Sequence, residues 1–380
     1  MVIGVGRYIQ EMTKKPCLRP FLQVHITDNG SVFPCCSCYM DGPPWGNIFK
    51  QSFDEIWNGK IACRMRRQML RGDFSSCNLD FCNMYDNCGG TVNRKLNKKE
   101  LSELKKKMPY PKRVTLDYDK ECNAKCITCR KDFFQHDNES LTKMNKWADR
   151  VIVPICKNAE ILYTSGSGDP LASRHSRYLI KQIVKKNPAV KIKFHTNGIL
   201  ASQKIFEELN LLPCVLEVNI SLHAASKKVY DKIVLGGNWE AVMSNLRWLS
   251  KLKAAGKLEY LKLSFTLSAL NFHELPAFLK LTEKLQAWPT VWEYRNWGVQ
   301  NEAEAKDLNV LDPCHRQHRK LLKVMRSAKV QKYLRYQNVF SPELVKLAPL
   351  KPISRISKLQ SVVASRLYWL GKFRKANQSR

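Results

Sequence analysis

The sequence predicts an α/β fold, and three observations carry that prediction. Six short apolar segments alternate with helical stretches between residues 113 and 294. Eight of the 14 cysteines fall before residue 90. After residue 309 the chain turns helical and basic. The alternation implies a parallel sheet with helical crossovers, open or curved into a partial (β/α)6 barrel. The cysteines imply a small α+β auxiliary domain, and the basic stretch a helical C-terminal extension. The expected boundaries are 1–108 for the cysteine-rich domain with its connector, 109–305 for the α/β core and 306–380 for the extension.

Each element has a local reason. FLQVHI, TDNG and SVFPCC read as a β-hairpin about Asn29-Gly30. Ser52 and Glu55 form a capping box ahead of IWNGKIACRMRRQML, expected as one helix. KLNKKELSELKKKM is charged and helix-prone and is expected as a connector. The six strands are RVTLDY (113–118), AEILYT (159–164), KIKFHT (191–196), LEVNISL (216–222), LKLSFTL (261–267) and TVWEY (290–294). Helices are expected over 140–152, 174–187, 202–211, 226–233, 239–254 and 273–287. Near the end, Leu359, Val362, Val363, Leu367, Leu370 and Phe373 recur at helical spacing among Lys and Arg. They define an amphipathic helix that docks on the protein or lies on an anionic membrane.

In a parallel α/β sheet the ligand site lies at the C-terminal strand ends. Polar and glycine residues gather there. Asp119 to Cys129 follow the first strand, and Ser165, Gly166, Ser167, Gly168 and Asp169 follow the second. Thr196, Asn197 and Gly198 follow the third, Ser221 and His223 end the fourth, and Asn271 lies beyond the fifth.

The net charge is +31 and the isoelectric point about 9.7. Beyond Pro313, Glu343 is the only acid. Such a field attracts RNA, anionic lipid, acidic peptides or phosphorylated sugars, or is merely a solvated tail. A secreted disulfide scaffold would be shorter and open on a signal segment, whereas MVIGVGRYIQEMTKKP has no apolar core. The expected setting is a reducing cytoplasm, with thiols kept for metal.

The most informative segment is ECNAKCITCRKDFF. Cys122, Cys126 and Cys129 stand at i, i+4 and i+7, so three thiolates share one side of a loop or short helix. Three thiolates hold three corners of a 4Fe–4S cube and leave one iron open to a cofactor. A structural zinc site with His136 as fourth ligand is the alternative.

Placed after the first strand of a βα series, this triplet resembles the radical S-adenosylmethionine (radical SAM) superfamily, over roughly residues 110–300. TSGSGDPL resembles the glycine-rich segment that holds the methionine amino group, and FHTNG the Thr-Asn-Gly segment of one large branch. VNISLHAASKKVYDKI and LSALNFHELPAFLKL resemble the strand-four and strand-five segments that approach the cofactor. The resemblance implies a partial (β/α)6 TIM-like barrel, a 4Fe–4S cluster on Cys122, Cys126 and Cys129, and S-adenosylmethionine on its open iron. Gly166, Ser167, Gly168, Asp169, Thr196, Asn197, Ser221 and Asn271 are the implied cofactor-binding residues. One electron would split the cofactor into a 5′-deoxyadenosyl radical that takes hydrogen from a substrate. Three positions depart from the pattern: Thr128 replaces an aromatic, Asp169 a Glu and His223 an acid.

Cys17, twelve residues, Gly30, four residues and Cys35 resemble the opening of the superfamily's SPASM/twitch domains. GNIFKQSFDEIWNG and RMRRQMLRGDFSSCNLDFC resemble their middle. The implied ligands of an auxiliary 4Fe–4S cluster are Cys17, Cys35, Cys77 and Cys82, with Cys88 or Cys38 as replacements. Here the domain precedes the barrel instead of following it. A zinc ribbon from the same cysteines is the alternative. Cys36, Cys38, Cys63 and Cys88 are spare thiols or a second site, and Cys156 and Cys214 read as small core residues.

The expected function is radical SAM chemistry on a peptide or a sugar-like small polar molecule, fed by an electron donor such as flavodoxin or ferredoxin. Asn197, Ser221, His223 and the stretch Tyr294 to Trp297 are candidates to shape the substrate pocket. The charge keeps a nucleic-acid partner, and so an RNA-modifying enzyme, as a less favoured reading. A non-enzymatic basic scaffold with structural zinc is the third.

Overall fold

The structure is a computed structural model that describes residues 17–79, 82, 110–164, 167–336 and 339–347. The connector over 91–108, Cys88, Gly166 and the amphipathic segment at 359–373 lie outside the described residues. In chain order the early elements are α1 (Arg19–Leu22), β1 (Gln23–Thr27), β2 (Ser31–Phe33), β3 (Gly46–Asn47), α2 (Phe53–Trp57) and α3 (Lys60–Leu70). The core follows with β4 (Arg113–Asp117), β5 (Lys125–Cys126), α4 (Asn138–Cys156), β6 (Ile161–Thr164), α5 (Arg174–Lys186), β7 (Lys191–Thr196), α6 (Gln203–Glu208) and β8 (Val215–Ser221). Next come α7 (Lys227–Ile233), β9 (Val234–Leu235), α8 (Trp239–Ala254), β10 (Tyr260–Leu267), α9 (Leu275–Lys284) and β11 (Trp288–Glu293). Four short helices end the described chain: α10 (Glu302–Leu308), α11 (His318–Met325), α12 (Ala328–Leu334) and α13 (Pro342–Leu347). The fold is mixed α/β with a sheet that is parallel for most of its width, and all six expected core strands form.

Two compact units divide the chain. The first takes residues up to Asn123, then Asp132–Asn219 and Lys251–Tyr260. Its strands lie in the order β8-β7-β6-β4-β1-β2-β3. The hairpin forms as expected: His25 faces Phe33 across antiparallel β1 and β2, and Gly30 turns the chain at φ +78°. Its outer edge was not expected. β1 pairs in parallel with β4, from Gln23 opposite Arg113 to Thr27 opposite Asp117. The cysteine-rich segment thus adds three strands to the core sheet, across the boundary expected at residue 108.

Cross-strand register sorts the side chains of this sheet into two faces. Val24, Val114, Leu162 and Ile192 form one buried apolar row, and Ile26, Leu116, Thr164 and Phe194 another. Leu179 and Ile180 of α5 share a small cavity with Leu116, Leu162 and Thr164, so this face packs on helix. The opposite face carries the row His25, Thr115, Tyr163 and Lys193. A parallel strand covered by apolar layers on both sides reads as a continuous apolar run. These strands alternate instead, with His25 buried and Thr115, Tyr163 and Lys193 half-buried on the second face. Lys193 pairs there with the buried Glu217 of β8 at 3.3 Å.

The helix expected after the capping box divides into α2 and α3 at Asn58-Gly59. The box itself forms, with Glu55 N–H on Ser52 Oγ at 3.3 Å and Ser52 N–H on Glu55 Oε2 at 2.9 Å. A Cβ at Gly59 would lie 2.4 Å from the Glu55 carbonyl, so this corner requires glycine. Arg66 of α3 stacks between Trp57 and Trp45, at 4.3 and 4.9 Å, and donates to the Pro20 and Trp57 carbonyls.

In the second unit β10 and β11 pair in parallel from Lys262–Trp288 to Leu267–Glu293. β5 pairs antiparallel with β9, setting Cys126 opposite Val234. The expected C-terminal extension begins here as folded structure, since Phe340 bridges Val291 at the edge of β11 and α12 packs on α9. Among the described residues no helix is long and apolar enough to cross a membrane.

His175 of α5 is fully buried. Its Nδ1 meets Asn145 Oδ1 at 2.6 Å and its Nε2 meets the Tyr118 hydroxyl at 2.8 Å. A neutral ring with hydrogen on Nδ1 satisfies both contacts, the hydroxyl then donating to Nε2. Burial lowers its pKa to about 4. As pH drops below the ordinary histidine value, the unfolded chain takes up a proton that the folded one refuses. The stabilising effect of the neutral ring is therefore complete above about pH 6.5 and shrinks by about 3 kcal/mol toward pH 4. His175→Gln should show a smaller fall in melting temperature than the parent between pH 7 and pH 4.5. Equal falls would remove His175 as a source of acid lability.

Candidate active site

The first unit gathers three strand-end loops. Gly168 sits so tightly that a Cβ there would lie 2.5 Å from the Glu121 carbonyl, 2.7 Å from that of Asp119 and 3.0 Å from the Lys120 carbonyl carbon. Only glycine lets the turn after β6 touch the backbone that leads into Cys122. Asp169 N–H donates to the Glu121 carbonyl at 2.9 Å and closes the same contact. Ser167 N–H reaches Asp117 Oδ1 at 2.5 Å, and Ser167 Oγ the Asp117 carbonyl at 3.2 Å. Asn197 joins from the turn after β7, its Nδ2 lying 2.8 Å from Asn123 Oδ1 and 3.8 Å from Cys122 Sγ.

Asp169 is 3% exposed, and both carboxylate oxygens are engaged within the protein. Oδ1 accepts from the N–H groups of Leu171 and Ala172 at 3.0 and 3.1 Å. Oδ2 accepts from Thr196 Oγ1 and Asn197 N–H, both at 2.7 Å. Burial raises its pKa in spite of these donors.

Residues that sequence reasoning did not single out support this cradle. Asp119 accepts from Ser176 Oγ at 2.8 Å, from Ser173 Oγ and from Glu121 N–H at 3.1 Å, and meets His136 Nε2 at 3.1 Å. Burial works against its charge, but Ser173, the Glu121 N–H and His136 outweigh it and lower its pKa. Glu121 accepts from Arg174 N–H at 3.0 Å and Nε at 3.1 Å, pinning the start of α5 to the cysteine loop. The usable signal was position, since acids within three residues of a strand end are placed to organise loops. His136, considered above as a zinc ligand, faces Asp119.

The second unit holds Cys126 and Cys129. Cys129 N–H bonds the Cys126 carbonyl at 3.0 Å, forming a tight turn across the x2 spacing. Ile127 N–H bonds the Ile233 carbonyl at 3.0 Å, and the Gln300 amide reaches the Ile127 carbonyl. Tyr294 donates to Gln300 Oε1 at 3.0 Å, which connects β11 to the cysteine turn. Ser221 ends β8 half-buried. His223 adopts φ +57° and accepts the Thr266 N–H on Nδ1 at 3.0 Å. Asn271 is wholly buried. Its Nδ2 donates to the His223 and Thr266 carbonyls at 2.8 Å, and its Oδ1 accepts from Ser268 N–H at 2.8 Å. Its amide ties the turn after β8 to the end of β10, so it supports these strand ends, where the resemblance implied a cofactor contact.

In the cysteine-rich segment Cys35 feels Cys17, Cys77 and Cys82 electrostatically, the four thiols that the resemblance to SPASM/twitch domains implied as ligands. An antiparallel bridge from Met40 to Cys77 brings their chain segments together, with Asn78 N–H on the Tyr39 carbonyl at 2.9 Å. Burial pushes the Cys35 thiol well up, and the neighbouring thiols add to it against the pull of Arg19. Cys77 is pushed up to about 12 by burial and then by Cys17 and Cys82. Burial and the neighbouring thiols both oppose ionisation of Cys35 and Cys77, and bound cations would offset that cost, so the donor types suit iron–sulfur chemistry. Among the described residues no three His, Cys, Asp or Glu side chains converge as ligands of one ion. Cys36 and Cys38 form a separate pair with sulfurs 3.1 Å apart. The Cys38 contact outweighs burial and lowers Cys36 to about 6.

Comparison with known proteins agrees with this geometry. The model of the SPASM iron–sulfur cluster-binding domain matches residues 17–89, and that of the radical SAM superfamily matches residues 120–262. A probable GTP 3′,8-cyclase from Methanococcus maripaludis is 28% identical over 175 residues, which are 46% of this chain and 56% of that relative. The match thus spans little more than half of the curated relative's length. Among solved structures, Streptococcus suis SuiB bound to S-adenosylmethionine is similar at 12% identity and a TM-score of 0.43, covering 80% of this chain and 68% of SuiB. The methyltransferase TsrM from Kitasatospora setae is similar at 14% identity and a TM-score of 0.32, covering 46% of this chain and 34% of its own. The chain thus carries a SPASM iron–sulfur cluster-binding domain ahead of a radical SAM domain.

Proposed function

We propose that this enzyme abstracts hydrogen from a peptide or a sugar-like small polar substrate, with its six βα units shaping a partial barrel. When bound, the cluster and S-adenosylmethionine supply a 5′-deoxyadenosyl radical. Cys122, Cys126 and Cys129 hold three irons of that cluster. Gly168 and Asn197 bring backbone and an amide to the loop of Cys122, and Ser167 and Ser221 stand at the ends of their strands. Cys17, Cys35, Cys77 and Cys82 hold the auxiliary cluster, and a flavodoxin or ferredoxin supplies electrons.

The observation that carries the reading is the contact of Gly168 with the backbone of Asp119–Glu121 together with Asn197 at Cys122. It sets three strand-end loops around one cysteine, as a chelated cofactor requires. The substrate class rests on the resemblance of the cysteine-rich segment to SPASM/twitch domains, whose model matches residues 17–89. The relative named for GTP has a polar substrate too.

Anaerobically prepared protein should contain iron with matching acid-labile sulfide, and on reduction should convert S-adenosylmethionine to 5′-deoxyadenosine. Cys126→Ala should lower that cleavage by at least about a thousandfold. Undiminished cleavage, or zinc in place of iron, would overturn the assignment. Gly168→Ala should force the turn off the cysteine loop, costing about 2–4 kcal/mol of stability and most of the cofactor affinity. A melting temperature and an affinity equal to the parent's would show that the close approach is not needed.

A further inference from the structure

Asp169 stands where the superfamily pattern suggested a contact to the cofactor, yet its carboxylate has no capacity left. A carboxylate offers about four acceptor positions. All four are filled from inside the protein: two by Leu171 and Ala172 N–H, two by Thr196 Oγ1 and Asn197 N–H. The donors come from two different loops, the turn after β6 and the turn after β7. The main chain of Asp169 binds a third loop, through its N–H on the Glu121 carbonyl. The links continue outward. Thr196 Oγ1 also accepts the Gly198 N–H at 3.1 Å. The Asn197 amide passes to Asn123 and the sulfur of Cys122.

We propose that Asp169 is a positioning residue that latches the glycine turn, the Thr196–Gly198 turn and the Cys122 loop together, and touches no cofactor atom. Aspartate is required for its length. One more methylene would push the carboxylate into the backbone donors that now surround it at 2.7–3.1 Å. The proposal rests on the cofactor assignment above and deepens it, because the amino group of the cofactor must then be met by other atoms of the glycine turn.

The two roles predict opposite results for one substitution. If Asp169 met the cofactor directly, Asp169→Glu would keep or tighten binding. As a latch, both Asp169→Glu and Asp169→Asn should weaken S-adenosylmethionine binding by about tenfold or more in equilibrium dialysis against cluster-loaded protein. Thr196→Val, which removes one donor and keeps the shape, should weaken it about threefold. Amide hydrogen exchange of cluster-loaded protein without S-adenosylmethionine gives a second readout. In each variant the segments 169–173 and 196–199 should exchange faster together. Parental affinity in the Asp169→Glu variant, or faster exchange confined to 169–173, would overturn the latch. Should the parent bind no S-adenosylmethionine, the cofactor assignment fails, and coupled exchange still decides the latch by itself.

Discussion

The arrangement of the strand-end loops depends on one close approach, the turn at Gly168 lying directly on the backbone of Asp119–Glu121. Everything nearby follows from the absence of a side chain there. The Asp169 N–H can reach the Glu121 carbonyl, and the Asp169 carboxylate then faces the turn after β7. That turn in turn presents Asn197 to Cys122. Loops are normally the mobile and variable part of an α/β fold. Here buried polar links hold them, and buried hydrogen bonds are strong because their alternative is an unsatisfied group.

A different constraint governs the cysteine-rich segment. There burial and neighbouring thiols both oppose ionisation of Cys35 and Cys77. Such a group has a clear electrostatic use only when cations neutralise it. The segment is attached to the core by the parallel pairing of β1 with β4, so its hairpin and the first core strand share one sheet. Asp117 lies at this seam, paired with His25 at 3.3 Å and holding the Ser167 N–H at 2.5 Å. One carboxylate thus links the auxiliary segment to the cofactor turn. The Cys36–Cys38 pair, electrostatically coupled to His25 and Asp117, belongs to the same neighbourhood.

Much of the strand-end loop arrangement could be read from the chain because its signals are local. The spacing of Cys122, Cys126 and Cys129, the glycines after β6 and the Thr-Asn-Gly after β7 each express a backbone requirement inside a few residues. The strands and helices from β4 to β11 emerged from periodicity for the same reason. The roles of Asp169 and Asn271 did not, since a side chain's partners depend on loops far away in sequence. Asp119 and Glu121 were placed at the strand end but given no role of their own, although they organise His136, Ser173, Ser176 and Arg174. The single helix expected over residues 56–70 failed at Gly59, whose corner is fixed by the Glu55 carbonyl.

The sequence alone determined where the candidate donors lie: three closely spaced thiols after the first core strand, a cysteine-rich start, and glycine turns at the ends of alternating strands. Those properties belong to short stretches of backbone and survive in any fold that keeps them at strand ends. Tertiary structure alone decided that the cysteine-rich hairpin extends the core sheet, and that Asp169 is enclosed by donors from two loops. The physical reason is that parallel pairing and carboxylate satisfaction are non-local. They are set by which segments meet after collapse, and composition and spacing do not encode that meeting.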